Sequence, residues 1–201
     1  STIFQRANNL LGESYITAYT ASRRIISIMM QPLGTIATAN STFVGQNWGA
    51  KKMDRIRSAI RKVIGLELLW GVFACCAAWL LGGALVRFTT GSSDGEIIGN
   101  AVLSLRLHLS FFPALAVLLC LRTSMQAMGR KTAPVISSCI ELAMKILSAW
   151  LLIPQLGFLG TCVTEPVTWV LMMVFLAAAY GRSAVRCSPQ DARLHPAIKR
   201  M

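Results

Sequence analysis

Acidic residues are scarce in this 201-residue chain: eight Asp and Glu stand against twenty Lys and Arg, a net charge of +12. Histidine is rarer still, with only His108 and His195. A zinc site or catalytic triad would need more parts, and no H-E-x-x-H, G-x-S-x-G or Walker loop occurs. The six cysteines form no C-x-x-C pair. Cys75, Cys76, Cys120, Cys139 and Cys162 fall in apolar stretches, where free cysteine acts as a small hydrophobe, and Cys187 falls in the tail. No metal, no cofactor and no catalysis are expected. Also missing are the period-two alternation of a barrel strand, an initiator methionine at Ser1 and any apolar leader before Tyr15.

Apolar residues, by contrast, make up 54% of the chain and charged residues only 14%. Residues 25–50, 68–86, 107–121 and 146–164 contain no Asp, Glu, Lys or Arg, and Val167 to Tyr180 adds a fifth run. Crossing the hydrocarbon of a bilayer takes about 20 mostly apolar residues. A backbone in lipid must satisfy its own hydrogen bonds, so the runs predict an all-α, polytopic membrane helix bundle. About five transmembrane helices are placed at 15–44, 56–86, 97–128, 133–153 and 157–180.

The positions of the basic residues argue against a nucleic-acid partner. Alternate loops and the tail carry thirteen Lys and Arg, among them Lys51, Lys52, Arg130, Lys131 and Arg182, while the opposite side has Arg6 and Arg87. Cationic loops stay in the cytoplasm, which predicts a multi-pass protein of the cell (plasma or inner) membrane with a cytoplasmic C-terminus. The lipid bilayer is its surrounding partner. Residues 1–14 read as an external loop remnant of a longer chain, 15–180 as the helix bundle and 181–201 as a cytoplasmic tail.

Polar residues inside the spans carry the functional signal. Along the first helix Thr20, Arg24, Ser27, Gln31, Gly34, Thr38, Ser41 and Gly45 recur at steps of three and four, forming a stripe that either packs closely or lines a water-filled cavity. Pro32 predicts a kink there, since it removes a backbone donor. On the second helix Glu67, Gly71, Ala74, Ala78 and Gly82 form a similar seam, and Glu67 either reaches back to Arg61 or Lys62, the favoured reading, or faces the cavity. The third presents Asn100, Ser104 and His108 on one face, with Pro113 beyond; His108 serves either a proton relay or a bond to a neighbouring helix. Glu141 precedes Lys145 by four residues, the favourable order for a helical ion pair. That pair is either static or trades partners when a cation arrives. Glu165 stands beside Pro166, where a distorted helix exposes carbonyls to an ion, or else lies wet near the outer surface.

The stretch ANSTFVGQNWGAKK, residues 39–52, resembles a signature of multidrug and toxic compound extrusion (MATE) transporters, and YITAYTASRRI, QPLGTIATA, RTSMQAMGRKTAP and IPQLGFLG are similar to other parts of that family's C-terminal lobe. The resemblance implies a twelve-helix, two-lobe transporter of which these would be helices eight to twelve, partnered by a missing N-terminal lobe. It implies export of small organic, often cationic, substrates by antiport with Na+ or H+. Gly45, Gln46, Asn47 and Gly49 match the signature and, with Pro32, Pro113 and Pro166, are expected to act as gate or hinge elements. Glu141, Lys145, Glu165, Gln31, His108 and Arg24 are the candidate pathway residues. A lipid-linked saccharide flippase and a non-transporting membrane scaffold are the rival readings. The flippase would line its cavity with several arginines.

Overall fold

The computed structural model describes residues 13–91 and 94–186, and every element in it is helical. Helix α1 spans Glu13–Gly49, α2 Met53–Thr90, α3 Gly95–Ser110, α4 Phe112–Ala127, α5 Thr132–Leu147 and α7 Phe158–Arg186. Between the last two, a π-helical segment, Ser148–Leu152, runs into the single turn α6, Ile153–Leu156. Met53–Thr90, Thr132–Leu156 and Phe158–Arg182 are each long and apolar enough to cross a bilayer, and α3 with α4, bent by 48°, make a fourth such span.

Helix α1 departs from the expected five. At 37 residues it is long enough, but its Ser, Thr, Gln and Arg content keeps it out of that group. It is nonetheless central, packing on α2, α3 and α4 with Leu33, Ala37 and Val44 buried. The α2 seam is confirmed: Glu67, Gly71, Ala74, Ala78 and Gly82 are all buried, small residues letting the backbones approach. Leu66, Leu69, Phe73 and Leu80 are exposed on the same helix, a surface suited to lipid.

Helix ends differ from the sequence reading in instructive ways. A linker was expected from Gly45, yet α1 continues to Gly49. It closes with Lys51 N–H donating to Trp48 O (3.0 Å) and Lys52 N–H to Asn47 O (2.9 Å). This double bond pattern places Lys51, at φ 56°, in the left-handed position where glycine is usual. Helix α4 ends in the same pattern with Gly129 at φ 75°, its N–H on Gln126 O and that of Arg130 on Met125 O. The expected continuous third helix is broken at Phe111, because Pro113 lacks the amide that would bond the Leu109 carbonyl. Helices α1 and α7 run unbroken through Pro32 and Pro166, and α7 extends past Tyr180 to Arg186.

The basic turns share one end of the bundle. Arg130 lies over the Trp48 ring, 5.9 Å from its centroid, and Tyr180 of α7 lies in electrostatic reach of Arg57, Arg61 and Arg130. The opposite end joins Tyr15 to Phe158, whose rings are 5.3 Å apart. The expected loop remnant 1–14 lies almost wholly outside the described residues, as do Cys187, His195 and the rest of the tail beyond Arg186.

Candidate functional site

Glu165 is the focus of the polar interior. It lies seven residues into α7, roughly 10 Å along the helix from Phe158. Arg23 of α1 donates from Nη1 to its Oε2. His108 of α3 brings Nε2 to 3.6 Å from the same oxygen, too far for a hydrogen bond. The Glu165 side chain is only 14% exposed and His108 is fully buried, so both groups depend on protein partners more than on water. Burial is built by packing: Trp169, one turn after Glu165, meets the His108 ring edge-on at 5.9 Å and Phe112 at 6.2 Å.

The tautomer of His108 follows from its other nitrogen. Nδ1 lies 2.7 Å from the Ser104 carbonyl, which can only accept, so Nδ1 carries the hydrogen. In the neutral ring Nε2 is then bare, and it has no other hydrogen-bond partner. Nε2 and Glu165 Oε2 are two acceptors facing one another. A proton placed between them would convert a mutual repulsion into a charged hydrogen bond. Ser22 of α1, whose hydroxyl donates to the Tyr19 carbonyl at 2.8 Å, fixes the α3 side by a hydrogen bond with Ser104 Oγ at 3.0 Å.

A second group of charges adjoins the first. Lys145 Nζ donates to Glu141 Oε1 at 2.8 Å, the ion pair anticipated from their spacing, and Arg122 of α4 approaches Glu141 at 3.9 Å while donating to Ser138 Oγ at 2.6 Å. Lys145 is also in electrostatic reach of Glu165. The structure thus connects the Glu141–Lys145 pair to Glu165 and His108, which the sequence offered separately.

Beside the cluster, an open groove of about 820 Å³ follows α1, lined by Arg23, Ser27, Gln31, Gly34, Thr35 and Thr38 among others. Thr35 and Thr38 turn their hydroxyls onto the Gln31 and Gly34 carbonyls, at 3.0 and 2.8 Å. Local back-bonding of this kind occupies those two hydroxyls, while Ser27 and Gln31 are exposed along the same wall.

The remaining candidates are dispersed. Arg24 is exposed and lines a different hollow with Thr17, Thr20, Thr89 and Thr90. Its neighbour Arg23, off the stripe that contains Arg24, is the arginine that meets Glu165, because periodicity along one helix does not reveal which side faces an acid so distant in the chain. Glu67 does not reach Arg61 or Lys62: it is fully buried with neither oxygen hydrogen-bonded, because the seam that carries it turns inward. Asn47 is buried and donates to Phe43 O at 2.9 Å, Gln46 is exposed, and a Cβ on Gly45 would stand 3.9 Å from Ala127 O. Of these residues Gly45 is the one that lies against α4, while the Asn47 bond stays within α1. Pro32 lies near the bond from Trp70 Nε1 to Met29 O, 2.9 Å, which ties α1 to α2.

Comparison with curated proteins gave no match. A protein-family model described as MatE matches residues 2–151.

Proposed function

The chain belongs to the MatE family of membrane transporters, and from that premise we propose that it exports organic, often cationic, compounds by antiport, with H+ rather than Na+ as the coupling ion. The observation that carries the reading is the facing pair of acceptors, His108 Nε2 and Glu165 Oε2, next to a guanidinium already bound to the same oxygen. A proton arriving there makes His108 a cation and sets it in competition with Arg23 for one carboxylate. Arg23 also lines the groove, so its release alters the charge that a substrate meets. Proton and substrate are then linked through one side chain, the reciprocal coupling that antiport needs.

In this reading Ser27 and Gln31 contact substrate, and Lys145 holds Glu141 while sensing Glu165. The groove is open along α1, which suits closure by a second lobe in a twelve-helix protein. The tail and the basic turns face the cytoplasm of a plasma or inner membrane. A flippase for lipid-linked pyrophosphate is less well supported. Arg23 is the arginine among the groove residues named, it is committed to Glu165, and Arg24 and Arg106 line other hollows. A scaffold role gives no reason for a buried histidine facing a carboxylate.

Uptake of a fluorescent organic cation into inverted vesicles containing the full protein tests the proposal. A proton gradient should drive uptake and its collapse should abolish it. Uptake driven by sodium alone would move the coupling ion to Na+, and gradient-independent behaviour would remove the antiporter reading.

A further inference from the structure

Glu67 lies mid-way along α2, fully buried, and neither carboxyl oxygen has a hydrogen-bond partner. Helix α2 packs against α1, α3 and α4. From α4, Cys120 is the titratable group in electrostatic reach of Glu67; the ion pairs among the described residues join Arg23, His108, Arg122 and Lys145 to Glu165 and Glu141, and none includes Glu67. A carboxylate there would have neither water nor a donor to replace it, and an unpaired buried charge is the most costly arrangement an acid can adopt. The uncharged acid removes that cost. Sodium would require several oxygen ligands arranged around the carboxylate. A proton needs only the carboxyl itself.

One turn further along α2, Gly71 abuts the junction of α3 and α4. A Cβ on Gly71 would stand 3.1 Å from the Pro113 backbone nitrogen and 3.4 Å from the Phe112 carbonyl carbon. The two helices bend by 48° at that point. Glu67 therefore lies one turn from the place where α2 packs on the sharp break of the third span.

We propose that Glu67 is a second proton-binding site of the transporter, occupied as the neutral acid and enclosed where α2 packs on α1, α3 and α4. Its part in transport rests on the proton-antiport reading, whereas its occupancy by a proton does not. Infrared spectra of the full protein in lipid bilayers, compared with those of Glu67→Gln near neutral pH, should contain the carbonyl stretch of a carboxylic acid that shifts in D2O and is lost in the variant. Glu67→Asp, which keeps the acid, should retain such a band. Dicyclohexylcarbodiimide, an apolar reagent for protonated carboxyls, should modify Glu67 as read by mass spectrometry, with no protection by sodium. In vesicles, Glu67→Gln should flatten the pH dependence of substrate uptake.

A difference spectrum showing only carboxylate bands would overturn the proposal. So would an acid band in a protein whose pH profile of uptake is unaltered by Glu67→Gln, since Glu67 would then be a static neutral acid. Failure of the Glu165 reading has a different signature: uptake by the unaltered protein that ignores the proton gradient, with the Glu67 band still present.

Discussion

Arg23 and Glu165, 142 residues apart, close an ion pair between α1 and α7, and His108 of α3 shares the same carboxylate oxygen. Three helices thus meet at one atom. Removing Arg23 strands a mostly buried carboxylate. Arg23→Ala should therefore lower unfolding stability in detergent by about 1–3 kcal/mol. Combining it with Glu165→Gln should recover part of that loss, with a coupling energy of about 1–2 kcal/mol. Strictly additive losses would show that the two side chains act independently.

Backbone geometry sets a second expectation. Lys51 occupies a left-handed position that an L side chain disfavours, so Lys51→Gly should raise stability by about 1 kcal/mol. Gly160 is the reverse case. A Cβ there would lie 2.6 Å from the Leu152 carbonyl oxygen, where α7 crosses the π-helical segment, so Gly160→Ala should cost about 2–3 kcal/mol. Gly34→Ala, mid-helix with nothing within 4 Å, should instead raise stability by about 0.5–1 kcal/mol, so a loss at Gly160 in the same thermal melts marks the clash.

Membrane orientation is tested by chemistry at the tail. In a variant whose only cysteine is Cys187, a maleimide that cannot cross the bilayer should label inverted vesicles and leave intact cells unlabelled. Labelling of intact cells would put the basic turns outside and reverse the direction of transport.

Much of the helical architecture was legible because hydropathy is a property of local runs, and lipid forces each run to satisfy its own backbone. The inward seam of α2 and the Glu141–Lys145 pair were legible for a related reason: helical periodicity fixes which neighbours on one helix share a face. Contacts between helices were not. The stripe of small and polar residues on α1 selects Arg24, and only the position of Glu165 on α7 shows that Arg23 is the one that pairs. Of the two readings open for Glu67, the outward one toward Arg61 or Lys62 is favoured in the sequence because charges near helix ends ordinarily reach outward. Its burial arises from the small residues packed around the same seam, a tertiary fact. The break at Phe111 was signalled by Pro113, but the size of the bend depends on Gly71 giving the junction room.

The account depends on Glu165 linking the proton to the substrate. Glu165→Gln, compared with the unaltered protein in the same vesicles, separates uphill accumulation of an organic cation from its exchange at equal concentration on both sides. Uphill accumulation driven by a proton gradient should fall by at least about tenfold, while equilibrium exchange stays within about twofold. Accumulation that survives the substitution would place the coupling elsewhere and contradict the account.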